Sequence, residues 1–231
     1  MTRSRGLDTL ITDGVFLAHE AQLQMADRFS EHDWAVDLGA GEFTFTGPDT
    51  VTLPVQLLGS AAPGPRSWLW GWANPGQFPA QVVGAANVTR AFGEQHHVPE
   101  LVSGEVPFWP GDEDDDRGPG YELSWGLSIA ARLATGSWFG YSGAVGGGTR
   151  VWMLLDGILF DQPSTPRVLR VLTEGLQSIE VSDHRRAVGS YASLRGVPWD
   201  GTTMTLPDGA LTLRFDDAGR ITQLQGSTPR P

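Results

Sequence analysis

Cysteine is absent from this 231-residue sequence. Its absence excludes disulfide staples, thiolate metal sites and thiol nucleophiles together, and it suits a reducing compartment, so a cytoplasmic location is the default expectation. Long apolar runs are also lacking. No stretch approaches the ~18 uninterrupted apolar residues of a membrane helix, so no membrane association is expected. Arg3 and Arg5 could open a secretory leader, but Asp8, Asp13 and His19 interrupt the apolar stretch that would have to follow. Positive charge is scarce: 16 Lys and Arg stand against 27 Asp and Glu, a net charge of −11. A field of that sign repels phosphate backbones and disfavours nucleic acid, while it fits a basic partner protein or plain solubility.

Motifs for metal and cofactor chemistry are lacking too. His96 and His97 are adjacent and would face different ways on a helix. His19-Glu20 lacks the second histidine, one turn on, of a zinc protease helix. His184, beside Arg185 and Arg186, reads as a solvated helix start. The acidic run from Asp112 to Asp116 puts carboxylates at the first, third and fifth positions of a calcium loop. It then has Arg117 where glycine is needed and Leu123 where a bidentate glutamate is needed. Gly111–Gly120 is therefore expected to be an exposed, mobile acidic loop. Gly146-Gly147-Gly148 precedes a strand rather than a helix, so it is no phosphate loop. Ser142 lies in no nucleophile elbow. The expectation is no metal and no organic cofactor.

What is present is a globular composition, 40% apolar and 19% charged, long enough for one large domain or two small ones. Apolar residues at helical spacing predict a helix over Asp13–Ser30, with Asp13 as its cap and residues 1–6 free to fray. Alternation then predicts four strands: 34–38, 43–46, 51–59 (with Pro54 at an edge or bulge) and Ser67–Ala73. A second helix is expected over Pro79–Gln95, an irregular or weakly extended stretch over His96–Trp109, and a third helix over Tyr121–Ala134, stopped by Gly136. Trp138–Tyr141 and Val151–Phe160 read as strands. After a linker at Asp161–Pro166, a helix starts at Thr165-Pro166, and another is capped by Ser182 or Asp183 and closed by Gly196. The last segment reads as three alternating strands, Thr202–Leu206, Ala210–Phe215 and Arg220–Leu224, joined by strong turn sequences. Leu211, Leu213 and Phe215 should share its buried face. The fold class is α+β, with antiparallel meanders packed against helices. It divides into a unit at 7–160 and a helix-plus-meander unit at 167–226, too dissimilar in sequence to be assigned as a repeat.

The unusual segment is Trp68-Leu69-Trp70-Gly71-Trp72-Ala73-Asn74. On a strand, Trp68, Trp70 and Trp72 would form one aromatic row with three N–H donors. Such a row suits stacking on a sugar or another aromatic ring, or anchoring a protein. The opposing expectation is core: three exposed indoles would make a large apolar patch, so the row should pack beneath α-helix, through Phe16, Leu23 and Phe29 of the first one. Together with Trp34-Ala35-Val36-Asp37 and Leu57-Leu58-Gly59-Ser60, this segment resembles a family of bacterial proteins, common in actinobacteria and defined only as a domain of unknown function. The resemblance covers about the first two-thirds of the chain and implies a bacterial, intracellular origin. It brings no catalytic residues.

Three functions follow. The first is a non-enzymatic binding module for a protein or small aromatic or sugar ligand, with Trp68, Trp70, Trp72, Asn74 and Glu20 as candidate binding residues. The second is a hydrolase or transferase using a carboxylate near the Trp face, such as Glu20, Asp37 or Glu42. The third is an acidic, immunity-type partner of a basic protein. Exposure of the row decides its part: full burial removes its support for any ligand site.

Overall fold

The first helix, α1 (Arg5–Phe29), starts about two turns ahead of Asp13 because Ser4 caps it. The Ser4 hydroxyl accepts from the Leu7 N–H, while the Ser4 N–H and hydroxyl both donate to the Glu100 carboxylate, each at 2.7 Å. Arg3 pairs with Asp8 and reaches the Glu180 carbonyl, so residues 3 to 6 are tied down rather than frayed. A computed structural model describes residues 3–112 and 117–227.

Strands β1 (Asp33–Asp37), β2 (Glu42–Thr46), β3 (Thr50–Ala62) and β4 (Ser67–Trp70) form an antiparallel meander. Pro54 sits opposite Glu42 at the end of the β2 pairing, and from Val55 onward the strand pairs with a later one. Its missing N–H thus falls where the partner changes. The bulge lies further along, between Leu57 and Gly59. Gly59 has no freedom to change: a Cβ there would stand 2.5 Å from the Leu69 carbonyl oxygen and 2.6 Å from the Trp68 ring.

The fourth strand stops at Trp70, three residues short of Ala73, and Gly71–Ala73 is a 3-10 turn. Helix α2 (Gly84–His96) starts five residues after Pro79, because Pro79–Val82 is a turn whose last carbonyl accepts from the Leu57 N–H. A one-turn helix, α3 (Pro99–Val102), and β5 (Glu105–Pro107), which extends the sheet beside β4, occupy the stretch expected to be irregular or weakly extended. Helix α4 (Tyr121–Thr135) ends at Gly136 in the left-handed region, as its sequence predicts.

The acidic loop departs from expectation at its start. Asp112 is buried, and its two carboxylate oxygens accept from the N–H groups of Glu122 and Leu123 at 2.9 Å. It satisfies orphan donors in the first turn of α4, a role typically worth about 1 kcal/mol. Residues 113–116 of the expected loop lie outside the described residues.

Strands β6 (Gly140–Gly146) and β7 (Thr149–Leu155) make a hairpin, and β7 pairs with β3 to complete a seven-stranded sheet. Helices α5 (Thr165–Gly175) and α6 (His184–Arg195) follow, with Asp183 accepting from the Arg186 N–H as the α6 cap. Strands β8 (Thr203–Leu206), β9 (Gly209–Phe215) and β10 (Ile221–Ser227) are the expected meander. Leu211 and Leu213 are buried, and Phe215 is packed on the core edge. The architecture is α+β, a curled antiparallel sheet packed on helices with a small second sheet. Among the described residues no helix is long and apolar enough to cross a membrane.

One apolar cluster runs through the linker region: Leu7, Phe16 and Leu127 share it with Val168, Tyr191 and Leu211. A second cluster fills the curl of the sheet, where Phe29 stacks on Phe45 at 3.9 Å.

The small sheet is pinned to α5 by Asp208, which accepts from the Thr165 N–H at 2.8 Å and from its hydroxyl at 2.9 Å. The backbone hydrogen bond from Thr165 holds the Asp208 carboxyl below the usual range. A folded-state value below the unfolded one adds stability above the unfolded pKa, and that contribution is lost as pH falls through the folded value. Asp208→Asn is therefore expected to narrow the drop in melting temperature between about pH 7 and about pH 3. Thermal melts test this; identical acid profiles for the two proteins would contradict it.

Candidate functional site

The tryptophan row is interior. Trp68 and Trp70 are 0% exposed and meet edge to face at 5.2 Å. The Trp70 indole donates to the Glu100 carbonyl at 2.9 Å, so α3 forms part of the cover. Trp68 lies 6.4 Å from Trp152, which in turn lies 6.4 Å from Trp125 of α4. The rings expected from α1 have other partners: Phe16 edges onto Tyr191 and Phe29 stacks on Phe45. Trp72 leaves the row because the strand has ended. It is half-buried, with the Arg90 guanidinium 4.5 Å above its ring. Asn74 folds back to accept from the Gly76 N–H. No ligand-accessible row remains.

Glu20 is also interior, 3% exposed between α1 and α6. Its carboxylate accepts from the Tyr191 hydroxyl and stands 2.9 Å from Arg195 Nε. Burial raises its pKa and that of Tyr191. The three side chains form a buried polar contact between α1 and α6. Asp37 accepts from the N–H groups of Gly39 and Ala40 and so builds a turn, and Glu42 is exposed at a strand end. His184, expected to be solvated, accepts from the Ile221 N–H through Nδ1.

The concave site with converging polar side chains lies where α1, α4 and the end of α5 meet. His19, Gln22, Arg117, Tyr121, Trp125, Glu174, Gln177 and Ser178 line a cleft of about 520 Å³. Helical spacing puts His19 and Gln22 on one side of α1, and Tyr121 and Trp125 on one side of α4. Trp125 forms the floor, buried but for an edge, and its indole donates to the Ser178 hydroxyl at 3.4 Å. Arg117 lies 4.3 Å over the Tyr121 ring. On the rim, Glu174 accepts from Arg170 at 2.9 Å, which holds its carboxyl below the usual range. His19 is held below its ordinary pKa by burial and is neutral at pH 7. Its Nε2 is 3.5 Å from Glu174, too long for a good hydrogen bond, and is buried without a partner among the described residues.

Next along α1 is a second hollow of about 290 Å³, lined by Gln22, Met25, Ala26, Phe29, Ser30, His32 and Tyr141. Gln22 belongs to both and donates to the Gly140 carbonyl at the open edge of β6. Among the described residues no group of three or more metal-ligating side chains occurs.

Of the sequence candidates, none lines this cleft. His19 is in it although its lack of a second histidine set it aside; Gln22 is its neighbour on α1, and the other lining residues come from segments about a hundred residues or more away. Their residue types carry no sequence signal of a site, because aromatic and amide side chains occur on every surface helix.

The family described as "Family of unknown function (DUF6882)" matches residues 8–158. No curated protein and no solved structure matches the chain. The matched stretch holds the α1 and α4 walls of the cleft, while Glu174, Gln177 and Ser178 lie beyond it.

Proposed function

The chain belongs to that family, whose description carries no activity, and from the chemistry of the cleft we propose a non-enzymatic binding module for a small, neutral, hydroxyl-bearing ring, a sugar. The observation that carries this reading is the cleft in which the Tyr121 and Trp125 rings stand beside the side chains of Gln22, Gln177, Glu174 and His19. Pockets that fix a polar ligand combine apolar ring surface with a few convergent donors and acceptors, as here. The net charge of −11 argues against an anionic ligand. Binding is favoured over hydrolysis because a glycosidase needs two carboxylates flanking the bond, and among the described residues Glu174 is the only carboxylate lining the cleft. The Ser178 hydroxyl is already spent on the Gly175 carbonyl. A bacterial cytoplasmic setting belongs to the same reading; its support is the cysteine-free sequence and the family resemblance.

An array of neutral mono- to hexasaccharides tests it. Wild type is expected to be retained on some members without releasing products, and Gln177→Ala with Glu174→Gln is expected to lower retention about thirtyfold, as two lost hydrogen bonds of ~1 kcal/mol each would. Retention on none, or release of cleavage products, would overturn the reading.

A further inference from the structure

The polar lining does not end at the cleft. His19, Gln22, Ala26, Phe29 and Ser30 fall on one stripe of α1, and Gln22 is the wall shared by the two hollows. From His19 to Ser30 the stripe spans about 16 Å. Each end sets a tyrosine ring beside hydrogen-bonding groups: Tyr121 with Gln177 and Glu174 at one, Tyr141 with Gln22 and Ser30 at the other, where His32 is already paired with Asp49 at 2.7 Å. We propose that the two hollows are successive subsites of one groove along α1 and that the ligand is a linear neutral oligosaccharide of several linked rings; this rests on the sugar-binding reading above.

An extended peptide is the competing occupant, and the groove is ill suited to it. A peptide strand would pair with the open edge of β6, the natural template for added strands. That edge is already engaged: Gln22 donates to the Gly140 carbonyl, and Arg150 donates to the carbonyl and the hydroxyl of Ser142 at 3.1 Å. The Trp34 ring lies so close over Gly143 that a Cβ there would be 2.4 Å from it. A helical peptide would need a row of apolar anchors, whereas this stripe carries His19, Gln22 and Ser30. Sugar hydroxyls, which both donate and accept, match the mixed set of imidazole, amide, carboxylate and hydroxyl groups.

The same array, read by chain length, tests the proposal. Retention should rise from disaccharide to tetrasaccharide by at least tenfold and then level off. Ala26→Trp fills the second hollow from an exposed helix position, so it should leave the fold intact by circular dichroism. It should reduce tetrasaccharide binding to the disaccharide level and leave disaccharide binding unchanged. Equal retention at every length, or an Ala26→Trp protein indistinguishable from wild type, overturns the second subsite while leaving the first hollow as a sugar site. No retention of any glycan overturns both, and capture of extended peptides in its place would identify the competing occupant.

Discussion

Trp70→Ala is expected to lower the unfolding free energy by about 3–5 kcal/mol, the usual cost of deleting a large aromatic from a core. The indole is fully buried, packs against Trp68 and donates to the Glu100 carbonyl. Its loss opens a cavity and leaves that carbonyl unpaired, and the residues around it sit on paired strands and a short helix that cannot all close in. Trp72→Ala, half-buried under Arg90, should cost much less. Urea denaturation of the two variants is the measurement. An unchanged midpoint for Trp70→Ala would mean the row is not core.

Glu20→Ala should be comparably damaging, about 3–5 kcal/mol, because it leaves the buried Arg195 guanidinium without its carboxylate, with only the Asp161 carbonyl and the Phe160 ring beside it. Both partners are under 10% exposed as side chains, so solvent screening gives little relief. Glu20→Gln separates charge from shape. Because burial raises the Glu20 pKa in the folded state, wild-type stability carries a contribution that declines as pH rises above about 4.3, the unfolded value. The glutamine variant lacks that slope, so its deficit relative to wild type should narrow with rising pH. A deficit that widens between pH 4 and pH 7 in denaturant titrations would contradict the direction of the shift.

Elements whose signals are local could be read from the sequence. Gly136 and Gly196 stop α4 and α6 where expected, and Asp183 caps α6. The alternation of Leu211 and Leu213 set the face of the last meander. Errors arose where a distant residue decides the local outcome. Ser4 starts α1 because Glu100 holds it, 96 residues on. Trp72 leaves its strand because Gly71 must approach the Leu57 carbonyl, where a Cβ would come within 2.7 Å. Asp112 looks like one more solvated acid until the first turn of α4 is placed against it. The cleft was illegible for the same reason: His19, Tyr121 and Glu174 meet only once α1, α4 and α5 have packed.

That packing has a consequence for how the chain is made. Asp13 in α1 forms a two-pronged pair with Arg186, 173 residues later. At synthesis rates of 5–20 residues per second, α1 waits roughly ten to thirty seconds on the ribosome before its partners in α6 exist. Through that interval the side of α1 carrying Phe16 and Glu20 has neither Tyr191 nor Arg195 to cover it. The nascent chain therefore holds α1 without this cover until α6 has emerged, and the contact closes only then.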